Sequence, residues 1–455
     1  MSAPYEIAER ALALSEADGC VVLVVESSSV NLRWANNTLT TNGADRDRSV
    51  TVISVVGRSA GVRSTSVVDG DALAGLVRAS EEAAREAGDA EDYGELVAGA
   101  GAADFAEPAE PTSTEVLAAF ARDLGEALGA ARADGRRLYG FAAHDVTTTW
   151  LASSTGLRLR HVQPTGTVEW TAKDDRPGTS VWHGQATRDF RDVSVPETDA
   201  LLRRRLGWCA RWVDLPAGRY ETLLPPSAVA DLLVYVYWSA AGRDAAEGRT
   251  VFSKPGGGTR VGEALGPAGL SMVSDPAEPG LSTSPFAVAG SSSATTSVFD
   301  NGLPLHRTAW IEDGRLAALV QTRASAAKTG SPVTPYVDNL ILDGGGAASQ
   351  DDMGAATGRG LLLTCLWYIR EVDPQTLLLT GLTRDGVFLV ENGEVTGAVN
   401  NFRFNESPVD LLARTSEGGR TERTLPREWN DWFTRTAMPT LRVPDFNMSS
   451  VSPAS

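Results

Sequence analysis

Four histidines, His144, His161, His183 and His306, and three cysteines, Cys20, Cys209 and Cys365, are the side chains of this 455-residue chain best suited to metal or nucleophilic chemistry. A hydrolytic zinc needs two or three ligands converging on one point, commonly two histidines on adjacent helical turns with a carboxylate nearby. No two of these histidines lie within five residues of each other, so the spacing gives no such site. His144-Asp145 could orient an imidazole toward Ser153 or Ser154, but there is no Gly-x-Ser-x-Gly elbow, and a histidine bonded structurally on a strand is the plainer reading. Cys365, in the run Leu-Leu-Leu-Thr-Cys-Leu-Trp, reads as a buried, inert thiol. Pro255-Gly256-Gly257-Gly258-Thr259-Arg260 lacks the Lys-Ser/Thr ending of a phosphate-binding loop and reads as a mobile loop. Asp174-Asp175 and Asp351-Asp352 are expected to be solvated loop charges. Arg203-Arg204-Arg205 is expected on the wet face of a helix, with Leu201, Leu202 and Leu206 facing inward. The expectation is therefore no catalytic residue and no metal site in this chain.

The elements that would position these residues follow from periodicity. Residues 5–18 carry apolar positions at helical spacing, and Cys20–Val25 is a β-branched run that reads as a buried strand. Strand-rich stretches follow over 31–41 and 48–67, with a polar turn at Gly43–Arg48 between them. Residues 71–87 make an amphipathic helix stopped by Gly88. Residues 88–111, rich in Ala, Gly, Pro, Asp and Glu without period, read as a linker or surface loop. Thr112 and Glu115 form a capping-box pattern ahead of a helix with Leu117, Phe120, Leu124, Leu128 and Ala131 on one face. Strand-like segments cover 137–173, broken at Ser153–Gly156 and Pro164–Gly166, and a helix spans about 197–213. Beyond Arg219, hairpin pairs recur at Asn301-Gly302, Asp313-Gly314, Asp385-Gly386 and Asn392-Gly393. Helices are expected near 226–242 and 351–363. The expected fold class is α+β, in three parts: an α/β domain over 1–110, a middle α+β domain over 111–218 and a mainly antiparallel β domain over 219–455.

Composition narrows the function classes. A net charge of −17 argues against nucleic-acid binding, which needs clustered Lys and Arg. No run of about 18 apolar residues is present to cross a membrane, and no secretory leader is evident. Three widely separated cysteines fit a reducing cytoplasm rather than a disulfide framework.

Three ordered motifs resemble the TldD/PmbA family. The first is Asn31-Leu32-Arg33-Trp34-Ala35-Asn36-Asn37-Thr38-Leu39-Thr40-Thr41-Asn42. The second is Arg219-Tyr220-Glu221-Thr222-Leu223-Leu224-Pro225-Pro226, leading into Ala228–Leu233. The third is the series Phe299-Asp300-Asn301-Gly302-Leu303-Pro304, Trp310–Gly314 and Phe388–Val395. The family's catalytic TldD-type subunit carries His-Glu-x-x-x-His on the helix after the second motif and a zinc-binding cysteine late in the chain. The corresponding stretch here is Leu233-Val234-Tyr235-Val236-Tyr237-Trp238, and no cysteine follows Cys365. This departure resembles the family's metal-free TldE (PmbA) branch. The resemblance implies no cofactor in this chain, zinc in a TldD-type partner, a heterodimer enclosing a cavity, and proteolysis of small or unfolded peptides. Tyr235, Trp238 and Arg243 are the residues expected to touch peptide substrate. A homodimeric peptide-binding scaffold and a peptide-tailoring subunit of a natural-product pathway are the alternative expectations.

Overall fold

The computed structural model describes residues 2–67, 69–176 and 178–453. After helix α1 (Pro4–Leu14) the chain forms β1 (Gly19–Ala35), β2 (Thr38–Val56) and β3 (Ser59–Thr65), then helix α2 (Gly70–Glu86). Helix α3 (Ala118–Ala133) leads into β4 (Arg137–Ser153), β5 (Arg158–Lys173) and β6 (Ser180–Thr187), followed by helix α4 (Val195–Trp208). All six strands join one sheet in the order β3-β2-β1-β4-β5-β6, with β1 antiparallel to β4, so the sheet runs across residue 110.

Alternation along β1 decides which side each residue serves. Cys20, Val22 and Val24 face α1 and α2. Val30, Leu32 and Trp34 face α3 and α4. Val21 and Leu23 face the opposite way, toward Phe286, Val298 and Phe299 of the C-terminal half. Both faces of the sheet are thus covered where the run Cys20–Val24 is continuously apolar.

The expected turn at Gly43–Arg48 is not formed. These residues continue β2, with Ala44 opposite Val30 and Arg48 opposite Glu26. The chain reverses instead at Asn36-Asn37, whose φ angles of 49° and 61° suit a type I′ hairpin. The backbone ladder tolerates polar side chains on this exposed ribbon, which is why composition misplaced the turn. The expected break at Pro164–Gly166 is also absent, since Pro164 lies within β5 opposite Val146. Pairing of β5 to β6 starts only at Gly166, so the missing proline N–H faces an edge and leaves no ladder bond unmade.

Residues 88–111 are a surface loop strapped to the sheet. Ala102 N bonds Arg158 O at 2.7 Å, and Trp150 Nε1 donates to Phe105 O at 3.0 Å. The next helix is capped by Ser113, which accepts from the Glu115 amide, while Thr112 Oγ1 bonds His144 Nδ1 at 2.6 Å. The cap expected at Thr112 is therefore displaced by one residue, to Ser113, without the reciprocal Glu bond of a capping box, because the Thr112 hydroxyl has a buried partner.

Residues 212–451 build a 14-stranded sheet whose ladders are mostly antiparallel, with three parallel pairs. The Asp313-Gly314 and Asn392-Gly393 pairs close hairpins as expected. Asp385-Gly386 does not, because the strand before it, Leu378–Thr383, pairs with other neighbours. Residues 351–363 divide into a short helix, Gln350–Ala355, and a strand, Arg359–Leu363. Leucines buried between two flanking strands satisfy the apolar run as well as a helix would. Helix α5 (Pro226–Trp238) enters the largest core, and a short α6 (Gly242–Ala246) follows. Among the described residues no helix is long and apolar enough to cross a membrane.

Candidate functional site

A cavity of about 400 Å³ lies between the two halves of the molecule, lined by His161 and Gln163 of β5 and by Phe286, Asp300, Tyr336 and Asp338 of the C-terminal half. The third sequence motif supplies Asp300 to its lining. The Asn301 side chain binds Ala289 N at 2.7 Å and Ala289 O at 2.9 Å, pinning the loop that carries Phe286. Asp300 is buried and ion-paired with Arg323 at 2.7 Å. Arg323 also reaches Glu95 O at 2.9 Å, which ties the surface loop to the cavity rim.

The polar side chains of the cavity are engaged by neighbours within the molecule. His161 Nε2 is engaged with Gln163 Oε1 at 3.0 Å, and burial pulls its pKa below the ordinary histidine value. The Ser284 hydroxyl donates to the Phe286 carbonyl at 2.7 Å, and the Ser297 hydroxyl donates at 2.6 Å to the Asp92 carboxylate, which also accepts from Ser292. Burial raises the Asp338 pKa, against the pull of Arg435 at 2.7 Å. An apolar floor with fixed donors and acceptors along its rim suits an extended peptide segment.

Helix α5 positions one wall from behind. Tyr237 is fully buried, stacks on Tyr336 with ring centroids 4.8 Å apart, and donates from its hydroxyl to Val337 O at 2.9 Å. Trp238 is half-buried and packs edge-on against Trp429 at 4.9 Å. Tyr235 meets the same Trp429 at 5.1 Å and donates to Ile369 O at 3.1 Å. Tyr235 and Trp238 therefore stand together one layer behind Tyr336. Arg243, on α6, is apart from them and pairs with Glu91 and Glu247. Periodicity gave no signal for Tyr336 or Asp338, which lie on an irregular segment. Asp300 was visible only inside a motif, and His161 only as an isolated histidine.

Other sequence candidates resolve into structural roles. His144 is buried, bonding Thr112 Oγ1 and Arg188 O, and the nine residues to Ser153 along β4 separate them by about 30 Å. Burial pushes the Cys20 and Cys209 thiols up to about 11 and Cys365 higher still, so all three are poor nucleophiles. Asp174 is mostly buried and bound by Arg176, contrary to the expectation of a solvated charge, because the loop folds back on the end of α4. Asp351 is exposed and pairs with Arg204, and Asp352 caps its own helix. Arg205 departs from the expected wet face: it is buried and its Nη1 donates to Trp182 O at 2.6 Å. The helix rolls onto β6 so that only Arg203 and Arg204 reach solvent.

Asp231, on the buried side of α5, is fully enclosed. Its Oδ1 accepts from Glu428 N at 2.8 Å, and its Oδ2 has no partner. Burial holds this carboxyl well above the usual carboxylate range, with the Glu428 amide pulling the other way. The folded state thus keeps a proton that the unfolded chain has released, so this group's contribution to stability is lost as pH rises above the ordinary carboxylate value. Asp231→Asn keeps the acceptor and the shape. It should flatten the decline in melting temperature between about pH 5 and about pH 8 and melt above wild type at the upper end. A steeper decline in the variant would refute the assignment.

Among the described residues no three His, Cys, Asp or Glu side chains come together to hold a metal ion. Residues 217–450, just over half of the chain, match the PmbA/TldA metallopeptidase C-terminal domain, and residues 20–84 match domain 1 of that metallopeptidase. No curated protein sequence matches the chain. Among solved structures, TldE from Thermococcus kodakarensis superposes with a TM-score of 0.79 at 15% identity, covering 97% of this chain and 98% of that one. A proposed modulator of a DNA gyrase from Thermotoga maritima gives 0.78 at 17% identity, covering 97% and 99%. A protein from Bacteroides thetaiotaomicron with the same description gives 0.76 at 13% identity, covering 98% of each. These three share the fold.

Proposed function

The chain belongs to the PmbA/TldD metallopeptidase family, and from that premise we propose that it is the metal-free, TldE-type subunit of a two-subunit zinc peptidase of the cytoplasm. In this reading a TldD-type partner supplies the zinc, and this chain shapes the cavity that receives small or unfolded peptides. The observation that carries it is the make-up of α5. Where the catalytic branch places its two zinc-binding histidines, this helix has Leu233 and Trp238. Leu233 is fully buried in the core, and neither side chain has a lone pair for a metal. The donor set does not fit zinc, so no step of hydrolysis is routed through this chain. The apolar, hydrogen-bonding cavity behind Tyr336 supports a role in holding peptide, with Tyr235 and Trp238 acting from the second layer and Arg243 fastening α6 to the surface loop.

Co-expression with a TldD-type subunit bearing His-Glu-x-x-x-His tests the proposal. The expected result is a co-purifying heterodimer whose zinc follows the partner, and peptide hydrolysis by the pair that this chain alone lacks. Stoichiometric zinc and hydrolysis in the isolated, tag-free chain would overturn it. A stable homodimer that binds peptide and ignores the partner would transfer the assignment to a scaffold.

A further inference from the structure

At the opposite end of α5 from Trp238, about 20 Å along the helix axis, lies a second chamber of about 500 Å³. β6, α4, the first turn of α5, the helix Gln350–Ala355 and the strand Glu417–Thr424 enclose it. In a protein of net charge −17, this chamber is lined by four arginines, Arg204, Arg205, Arg420 and Arg423, against two carboxylates, Asp351 and Glu422.

Three of the arginines already have carboxylate partners: Arg204 with Asp351 at 2.8 Å, Arg420 with Glu422 at 2.6 Å and Arg423 with Asp192 at 2.8 Å. Arg205 has none among the described residues. It is only 7% exposed, and its Nε has no hydrogen-bond acceptor. Burial lowers the pKa of its guanidinium to about 10, with Arg204 adding to the effect, so it stays charged at neutral pH. A buried, unpaired charge is costly unless something answers it. His183 on the same wall is held neutral, its pKa pushed down to about 3 by burial, so the positive field comes from the arginines.

Helix α5 points its N-terminus into this chamber. Its N-cap is Pro225, which offers no side-chain cap, and Pro226 has no N–H. The first intrahelical bond is Val229 N to Pro225 O at 3.0 Å, and the amides of Ser227 and Ala228 have no partner among the described residues. Uncapped amides at the positive end of a 13-residue helix favour negative charge. The orphaned amides and the unpaired Arg205 are independent features that call for the same ligand.

We propose that the chamber between β6, α4 and the N-terminus of α5 binds a small oxyanion, a carboxylate or phosphate group, between the Arg205 guanidinium and the Ser227 amide. This site stands apart from the peptide cavity and does not rest on the identity of any partner subunit.

Calorimetric titration of the full chain with inorganic phosphate, with N-acetylglycine and with N-acetylglycine amide tests it. Phosphate or N-acetylglycine should bind, more weakly as chloride rises, and the uncharged amide should not. The stronger of the two anions identifies a tetrahedral or a planar group. Arg205→Gln should weaken binding by about tenfold or more, the loss expected for one charge-assisted hydrogen bond. Should that variant fail to fold, Ser227→Pro removes one amide donor at a helix position that tolerates proline and should weaken binding severalfold. Arg359→Gln, at an exposed site elsewhere, should leave it unchanged. Flat isotherms for both anions, or unaltered affinity in folded Arg205→Gln and Ser227→Pro, would overturn the proposal.

Discussion

Replacing Trp34 by alanine should lower the stability of the chain by about 3–5 kcal/mol, the range for a large aromatic truncated in a closed core. Trp34 is 1% exposed and sits 4.7 Å from Trp170 and 5.9 Å from Phe120, centroid to centroid. The row is built across three strands: Trp34 of β1 lies opposite Gly140 of β4, which lies opposite Trp170 of β5. The two indoles close over the glycine. A Cβ at Gly140 would stand 2.2 Å from the Trp34 ring and 2.2 Å from Glu169 O, so the glycine is required by the tryptophan and by the neighbouring backbone. Gly140→Ala should therefore also destabilise. The double variant should lose less than the two single losses added, because Trp34→Ala opens the space the new methyl needs. Equilibrium denaturation of all four proteins measures this. Strict additivity would mean that the indole does not lie over Gly140.

Trp238→Ala should cost about 2–3 kcal/mol, less than a fully enclosed tryptophan because the side chain is half-buried. In the reconstituted heterodimer it should also raise KM for peptide more than it lowers kcat. The reason is its place in the aromatic group behind the cavity wall: it packs on Trp429 and Phe433, and Phe433 in turn meets Tyr237, on which Tyr336 stacks. Removing it frees the tyrosine that lines the cavity. Trp238→Phe keeps an aromatic ring against Trp429, so it should melt closer to wild type and show a smaller KM increase than Trp238→Ala. A stability loss in Trp238→Ala with unchanged KM in the surviving complex would remove both Trp238 and Tyr336 from peptide handling.

The first motif illustrates how far local sequence carried. Arg33-Trp34-Ala35-Asn36-Asn37 was recognisable as a family strand before its purpose was visible. In the structure Trp34 fills the core, Asn36-Asn37 forms the hairpin turn, and the Asn37 side chain clasps the start of β4, accepting from Leu138 N at 2.6 Å and donating to Arg136 O at 2.6 Å. The motif is conformational rather than chemical.

Sequence alone determined the α+β class, the helix over 71–87, the helix carrying Leu117 to Ala131 on one face, and the hairpins at Asp313-Gly314 and Asn392-Gly393. It also determined that residues 233–238 hold no His, Glu or Cys. Each of these depends on neighbours within a few residues: side-chain period, turn conformations that Asn, Asp and Gly tolerate, and the presence or absence of a lone pair. Tertiary structure alone decided that β2 continues through a polar segment and that Thr112 abandons a cap for His144. It alone decided that Arg205 turns from solvent to the wall of a chamber and that Tyr336, from an irregular segment, lines the cavity. Those outcomes depend on partners 14 to 100 residues away, such as Ala44 with Val30, Thr112 with His144 and Tyr237 with Val337. No periodic pattern encodes such distant contacts, because burial and hydrogen-bond satisfaction are settled only when the separate elements meet.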